Sequence, residues 1–569
     1  MSFEQLSLGT EAMRAAQGAL GVIGHNIANI NTEGYTRQRA VLVTNPPQDY
    51  SPGQRGTGVH IDAIKRLTDE FTRLQIEEEN QKAGQYEIYT KLMEQIEQVL
   101  NEPTDTGLQT AISDFFNSFH TLANTPEDYG ARSVVLGKAQ GLVTKLNSLS
   151  RQMQAIQNEV DQVIRIKVDE INSLTERIAV LNDKIASVEA GGIQNANDLR
   201  DSRELLVKQL NKILDVTSFE DENKNLLIEA QGAVLVAGTR SIPLSAVSDA
   251  NGHLVPANAN SGVPIVVTGG ELKGLLDARD TMIGQTLDKL DTLASTLIEE
   301  VNRLHTQGTT LSGHLTAQGD VVVSQPAVIM ALLTDNDVTY PVQAGTFYIT
   351  TYDQVTGAVV DEQAITVDPA TQSLNDIINS VTLAFSGTGS LTAGLTGDNR
   401  LQFTAGAGCQ FEFIQDSTEN TDDSDFLLAF GVNTFFSGNS AYSIALKDSV
   451  TADPDTITAG KSASPGDNRN ALLIYALQNE RLLNSGTTTL TDYYASIVSE
   501  AGTESQTAKR NEETQTALML MLEQRMASST GVSLDEEAAN MLIFQRMFQA
   551  AAKYISAMDT VLDTLINGL

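Results

Sequence analysis

The chain has no tryptophan and one cysteine, Cys409. A lone thiol excludes an intrachain disulfide and any cluster of thiolate metal ligands. Its flanks, Gly406, Ala407, Gly408, Phe411 and Phe413, read as a strand, not as a reactive site. Aromatic residues are 5% of 569, so any core is mainly aliphatic. Bases are scarce, 37 Lys and Arg against 72 Asp and Glu, for a formal charge of −35. That balance disfavours nucleic acid, whose phosphates need clustered Lys and Arg. From Leu311 to Gly460 there are 18 acidic residues and two basic ones, which reads as the solvated surface of an exposed domain. No run approaches the ~20 apolar residues of a membrane span. The N-terminus lacks the basic, apolar and small-residue succession of a cleaved secretory signal. The expectation is a cytosolic protein or one exported by a route that reads an uncleaved end.

Catalytic patterns are also missing. The six His (His25, His60, His120, His253, His305, His314) have no HExxH spacing. There is no GxSxG and no phosphate-cradling loop ending in Gly-Lys-Ser/Thr. Asp335-Asn336-Asp337 lacks the Gly and late Glu of a calcium loop and reads as a turn. No cofactor, metal or catalytic residue is expected.

What the chain does have is an apolar ladder at each end. Leu6, Met13, Leu20 and Ile27 recur every seven residues, with Ala16, Ile23 and Ile30 as a companion row. Leu534, Met541, Phe548, Ile555 and Leu562 repeat the pattern, with Phe544, Ala551, Met558 and Leu565 beside them. A seven-residue repeat split three and four fits a coiled-coil seam. It also fits the apolar stripe of a helix in a globular core, and periodicity alone does not separate the two.

Between the ladders, helical patterns cover residues 69–100, 125–191, 197–214, 271–304, 468–483 and 490 to the end. The longest is expected to start at Thr125-Pro126, an N-cap followed by proline. Its seam runs from Ala139 to Val163 and restarts one residue out of register at Val168. Pro46-Pro47, Pro52, Gly53, Gly56 and Gly58 mark an extended connector. Residues 216–270 and 309–454 read as strands joined by turns. The expected fold is mainly α with inserted β domains: an elongated multi-domain rod, its N- and C-terminal helices paired as a coiled coil, with a long-helix shaft and β-rich outer domains. The expected domains are 1–60 plus 520–569 (terminal assembly), 61–215 plus 271–308 plus 455–519 (helical shaft), 216–270 (small β-rich insertion) and 309–454 (outer β-rich insertion).

The most specific local signal is His25-Asn26-Ile27-Ala28-Asn29-Ile30-Asn31-Thr32-Glu33-Gly34-Tyr35-Thr36-Arg37-Gln38. Asn residues at a helix end can bond orphan carbonyls. Gly34 permits a redirecting turn, and Tyr35 and Arg37 offer an aromatic face and a bidentate donor. The C-terminal counterpart is Gly531-Val532-Ser533-Leu534-Asp535-Glu536-Glu537-Ala538-Ala539-Asn540-Met541. There Ser533 and Glu536 fit a capping box and three acids favour the helix start. Together with Gly56-Thr57-Gly58-Val59, Gly269-Gly270-Glu271-Leu272-Lys273-Gly274-Leu275-Leu276 and Ser464-Pro465-Gly466-Asp467-Asn468-Arg469-Asn470-Ala471-Leu472, these stretches resemble bacterial flagellar axial proteins of the rod, hook and hook-associated class. The likeness covers about residues 1–308 and 430–569.

That resemblance implies a structural subunit of the hook–filament junction and not an enzyme. It implies export in the unfolded state through the flagellar type III export apparatus, without a cleaved signal peptide, and polymerisation at the distal end of the hook. The implied partners are copies of itself in a ring, hook protein, the second junction protein and an export chaperone at the C-terminal region. The implied location is extracellular, in the flagellum. Assembly is expected to use Leu6, Met13, Leu20, Ile23, Ile27, Asn29, Asn31, Gly34, Tyr35, Arg37, Leu534, Met541, Phe544, Phe548, Ile555, Met558, Leu562 and Leu565. One alternative is a hook or distal-rod subunit. Another is a secreted adhesin or hydrolase acting through residues 309–454, with a carboxylate pair drawn from Asp361, Glu362, Asp416, Glu419, Asp422 and Asp423.

Overall fold

The computed structural model describes all residues except 1, 52, 101–106, 193, 223, 331–337, 339, 416–417, 419, 465 and 568–569. The Asp335-Asn336-Asp337 turn therefore lies outside the described residues, as do Asp416 and Glu419. The fold is mainly α, with strands inserted between helices. Its helices are α1 (Ser2–Ala28), α2 (Glu70–Leu100), α3 (Leu108–Asn124), α4 (Tyr129–Glu189), α5 (Asn197–Ile213), α6 (Gly270–Asp277) and α7 (Gly284–Thr306). There follow α8 (Leu374–Ala384), α9 (Phe426–Ala429), α10 (Asp448–Ala452), α11 (Arg469–Ala476), α12 (Leu490–Thr530) and α13 (Leu534–Asn567). They belong to two compact units: Met1–Glu94 with Asn158–Arg279 and Ser505–Leu569, and Gln95–Gln157 with Asp280–Glu504.

The α4 helix corrects two expectations. It starts at Tyr129, because Thr125 to Asp128 close a turn first (Asp128 N–H to Thr125 O, 3.0 Å) and the Asp128 carboxylate accepts the Gly130 N–H at 2.8 Å. Its buried stripe also runs without a break: Val160, Ile164, Val168, Ile171, Leu174 and Ile178 are all buried. Ile164, not Val163, faces inward, and two successive four-residue steps absorb the phase drift that the sequence pattern suggested.

In the first unit, α1 packs along α13 and against a hairpin of strands Gln38–Thr44 and Val59–Arg66. The connector expected there is thus largely a paired ribbon, extended by Gln48–Tyr50 with Gly53–Arg55. A four-stranded antiparallel sheet (Thr217–Glu220, Leu226–Ala230, Ala233–Ala237, Arg240–Ser241) and a two-stranded one (Leu244–Ser248, Leu254–Asn258) lie beside α4 and α5. Two asparagines of α4 join helix to strand. Asn182 donates to Leu226 O and Gly238 O and accepts from Leu226 N–H and Arg203. Asn172 exchanges both bonds with the Leu244 backbone at 2.8 and 2.9 Å. Each side-chain amide acts as one more peptide at a strand edge. The Gly269–Leu276 motif is a packing device. A Cβ on Gly270 (φ +81) would lie 2.5 Å from the Ile213 backbone, and one on Gly274 2.5 Å from Gln85 O.

In the second unit, α3 and α11 pack together. The Asp467-to-Asn470 motif binds helix ends: Asn468 donates to Ala123 O at 2.6 Å and Asn470 to Leu304 O at 3.0 Å. The insertion forms two three-stranded sheets, Thr316–Val322/Arg400–Ala405/Leu391–Leu395 and Val359–Val367/Gly345–Asp353/Cys409–Glu412, with α8 beside them. Phe347, Phe385, Phe403, Phe411, Phe413, Phe426 and Phe430 fill the core, so the few aromatics are concentrated where two small sheets need bulk. Among the described residues, no helix is long and apolar enough to cross a membrane.

Candidate functional site

The candidate site is the place where the two chain ends meet. The helices α1 and α13 run antiparallel: a Cβ on Gly9 would lie 2.6 Å from Ile555 Cγ1, while Asn26 reaches Glu537 at the opposite end. Glycine at position 9 lets the two helices approach closely. On α1 the buried face is Ala15, Ala16, Ala19, Val22, Ile23 and Asn26, whereas Leu6, Met13, Leu20 and Ile27 are half-buried. On α13, Met541, Phe544, Phe548, Ile555, Met558 and Leu562 form one half-buried stripe around buried Ala551, and Leu534 is 53% exposed. The Leu565 side chain lies outside the described residues. On the far side of α13, Leu542 and Ile543 are 57% and 60% exposed.

Asn26 holds the junction. It is 1% exposed and makes all four bonds its amide allows. Nδ2 donates to Gln38 O (2.9 Å) and Glu537 Oε2 (3.1 Å), and Oδ1 accepts from the Tyr35 hydroxyl (2.8 Å) and Gln38 N–H (3.0 Å). Glu537, 2% exposed, also accepts from Arg37 Nε at 2.7 Å, and Arg37 Nη1 reaches Glu536. The Arg37 N–H donates to Thr530 O at the end of α12. Glu536 is therefore turned toward Arg37, not back toward Ser533 as a capping box would require.

The loop between α1 and the hairpin is held from the other side by α5. Asp201 accepts Thr36 N–H at 3.0 Å and Arg66 Nη1 at 2.6 Å. Arg66 also reaches Glu204, and Gln38 Nε2 donates to Asp198 at 2.7 Å. Burial, the larger influence, pushes the Asp201 carboxyl above its ordinary range although Arg66 and the Thr36 N–H pull it down. Burial likewise raises the Tyr35 hydroxyl, with Asp198, Asp201 and Glu537 adding to it. Asn29 caps the end of α1 by donating to His25 O at 3.0 Å; Asn31 is exposed. Gly34 takes φ +78, and a Cβ there would press on Leu205 at 3.3 Å.

Sequence reasoning singled out Asn29, Asn31, Gly34, Tyr35 and Arg37 from this segment. It gave no assembly role to Asn26, Gln38, Arg66, Asp201 or Glu537. A signal for Asn26 was present: it lies three and seven residues after Ile23 and Ala19, so it is a polar residue on the core-facing side of α1. Glu537 resembled its acidic neighbours at a helix start, and only the fold sets it apart.

Of the carboxylates considered as a catalytic pair, Asp361, Asp422 and Asp423 have local duties. Asp422 accepts Ser424 N–H and Leu427 N–H, Asp423 accepts Thr346 N–H, and Asp361 accepts from Gln363 and Thr388. Among the described residues, no group of three or more His, Cys, Asp or Glu is placed to hold a metal ion.

Residues 93–319 match the family model of the flagellar hook-associated protein FlgK helical domain. Residues 6–36 match that of the flagella basal body rod protein, and residues 523–568 that of the flagellar basal body rod FlgEFG protein C-terminal region. The chain is 29% identical over 575 residues to flagellar hook-associated protein 1 of Salmonella typhimurium, covering 98% of both. It is 28% identical over 585 residues to the protein of that name from Bacillus subtilis, covering 100% of this chain and 98% of the relative. A solved structure of the flagellar hook junction protein FlgK from Burkholderia pseudomallei is similar in fold, with a TM-score of 0.51 and 21% identity, covering 81% of this chain and 100% of that one.

Proposed function

We propose that this chain, which belongs to the flagellar hook-associated protein 1 family, is the structural subunit that joins hook to filament. It is added at the distal end of the hook and forms a ring with copies of itself, between hook protein and the second junction protein. The carrying observation is the half-burial of the α1 and α13 stripes. Each helix covers only part of the other's apolar face, so Leu6, Met13, Leu20, Met541, Phe544 and Phe548 keep apolar surface that neighbouring subunits can bury. The terminal matches to rod-protein models fit a shared assembly region, and the 93–319 match favours the junction over the hook or rod.

In this reading the paired ends form a coiled coil toward the inner tube. Residues 1–60 with 520–569 are the assembly domain, residues 61–215, 271–308 and 455–519 an elongated shaft, and the 216–270 and 309–454 insertions face outward. The chain leaves the cell unfolded through the type III export apparatus, and a chaperone covers the C-terminal region beforehand. No catalysis is part of the role. A deletion strain tests it: the expected result is secreted, unattached flagellin and loss of motility, with antibody to the protein marking one thin band at the junction of the parent strain. Labelling along the whole hook would overturn the reading.

A further inference from the structure

The insertion of the second unit leaves α7 through residues 307–315, and one side chain grips it there. Glu412, at the end of strand Cys409–Glu412, is 2% exposed. Its Oε1 accepts the N–H and the hydroxyl of Thr310. Its Oε2 faces Nε2 of buried His314 at 3.9 Å. Neither Oε2 nor Nε2 has a hydrogen-bond partner. Phe411 and Phe413 wall in the imidazole, with ring centres 5.6 and 5.8 Å away. Two polar atoms left dry side by side are costly unless something joins them.

The neighbours show what is missing between them. Asn433 Nδ2 donates to His305 O at 3.4 Å, which leaves Oδ1 for the side-chain hydrogen bond that Asn433 shares with His314. Since Nε2 is the unpaired ring nitrogen, that bond uses Nδ1–H, and Nε2 presents a lone pair. His305 is held neutral in the same way: Nε2 accepts Thr458 N–H at 3.1 Å and Nδ1 donates to Asn433 O at 2.7 Å. The charged groups that face the pair are Arg132 from α4, toward Glu412, and Lys447 from the end of the insertion, toward His314. Arg132 is bound to Pro126 O, Asp455 O and Ile457 O, and Lys447 to Gln318 O, Gly431 O and Asp320. Lys447 opposes charge on the ring. A lone pair and an ionised carboxylate oxygen repel, whereas one proton between them satisfies both. The gap is about 1 Å beyond a hydrogen bond, too short to seat a water in line and within reach of the soft terminal torsion of Glu.

We infer that Glu412 and His314 share one proton, and that this proton latches the outgoing segment of the insertion to strand Cys409–Glu412. With it in place, Glu412 holds Thr310 through one oxygen and His314 through the other. Residues 310–314 are then tied down beside the paired backbones of His314 and Phe411, at 2.8 and 3.0 Å. Burial, the largest influence on each group, raises Glu412 to about 7 and lowers His314 to about 4. In the folded chain the latch is therefore complete between those values. It is lost as pH rises through about 7, when the carboxyl ionises, and as pH falls through about 4, when the ring takes a proton of its own.

Infrared difference spectroscopy of the full chain tests this, following the protonated-carboxyl band that Glu412→Gln abolishes. Hydrogen exchange at the His314 and Phe411 N–H groups is read alongside, corrected for its intrinsic pH dependence. The expected result is loss of the band with a midpoint near pH 7 and exchange that speeds several-fold over the same range. Exchange unchanged through that range overturns the latch. His314→Phe separates sharing from burial. A shared proton loses its acceptor, so the midpoint is expected to fall by about one pH unit. Burial alone leaves the midpoint in place or raises it, and either outcome overturns the inference. His314→Gln, whose amide oxygen can accept the same hydrogen bond, is expected to restore the parent midpoint; a midpoint as low as that of His314→Phe counts against sharing. Where His314→Phe fails to fold, the imidazole Nε2 resonance of the parent chain decides. It is expected to shift with the midpoint of the carboxyl band, and a constant resonance overturns the inference.

Discussion

Asn26 and Glu537 lie 511 residues apart and share a hydrogen bond of 3.1 Å in a buried setting. That bond makes the two chain ends parts of one structure. Glu537 is nearly dry, and a buried carboxylate is tolerated only when its oxygens are answered. Arg37 and Asn26, from either side of the loop, answer them. The start of α13 is therefore fixed to a loop made near residue 35, and the α1–α13 packing follows from that anchor.

Replacing Asn26 by Leu removes four bonds without leaving a cavity. Gln38 N–H and C=O, the Tyr35 hydroxyl and Glu537 each lose a partner, at about 1–3 kcal/mol for each group left dry and unpaired. The expected result is loss of about 3 kcal/mol or more in the first unit, with α13 loosened from its start. Hydrogen exchange over residues 534–545 measures this; protection equal to the parent chain would contradict the assignment.

How much of this was legible depends on which physical signal each residue carries. The terminal ladders were readable because burial at a three-four spacing leaves a periodic trace, yet the trace could not say that Leu534 would be 53% exposed at the start of α13. The helix α3, whose Phe115, Phe116 and Phe119 fill a core, precedes a Thr-Pro pair that reads as a helix start and masks it. The α8 segment reads as strand in the sequence because Ile377, Ile378, Val381 and Thr382 favour strands. The Ser373–Asp376 capping box that starts it is the local signal for a helix there. The Asn26 and Arg37 contacts to Glu537 depend on long-range register, which no local pattern encodes.

Glycines in helices separate into two kinds with opposite expected signs. A Cβ on Gly84 in α2 would lie 2.2 Å from Lys212 O, a backbone atom that cannot step aside, whereas nothing lies within 4 Å of a Cβ on Gly137 or Gly141 in α4. Gly84→Ala is expected to cost about 1–3 kcal/mol through forced separation of α2 from α5. Gly137→Ala and Gly141→Ala are each expected to add about 0.5–1 kcal/mol by lowering the backbone entropy lost on folding. Denaturant melts of the three variants check both signs.

Burial in the second unit pushes the Glu412 carboxyl up from 4.5 to about 7, against the pull of Thr310, which donates its N–H and hydroxyl to Oε1. A raised carboxyl contributes its full stability below pH 4.5, where folded and unfolded chains both hold the proton, and loses it as pH rises through 7. His305 and His314 run the other way. Burial lowers them to about 3 and about 4, so their contribution is complete above 6.5 and is lost as pH falls. Glu412→Gln keeps an acceptor for Thr310 and removes the carboxyl's own titration, while the amide stays beside His314, whose Nε2 lies 3.9 Å from Glu412 Oε2. Its stability is expected to match the parent chain near pH 4 and to exceed it at pH 8 by on the order of 1–3 kcal/mol. Melts at the two pH values decide it; a constant difference would point to packing instead.

Assembly contacts can be separated from folding contacts by exposure. Ile23 is 5% exposed, so Ile23→Asp would bury a charge between α1, α13 and the hairpin and loosen the monomer itself. Leu542 and Ile543, at 57% and 60% exposed, have little to lose in the monomer. If neighbouring subunits cover the outer face of α13, Leu542→Asp with Ile543→Asp removes apolar area worth about 25 cal/mol per Å² buried and places two charges at a dry contact. The expected outcome for that double variant is a melt within about 0.5 kcal/mol of the parent chain, normal secretion and few attached filaments. Ile23→Asp should lose stability and attachment together. Normal filaments on the Leu542/Ile543 variant would mean that this face stays in water after assembly, and that the half-buried stripe facing α1 is where neighbours must bind.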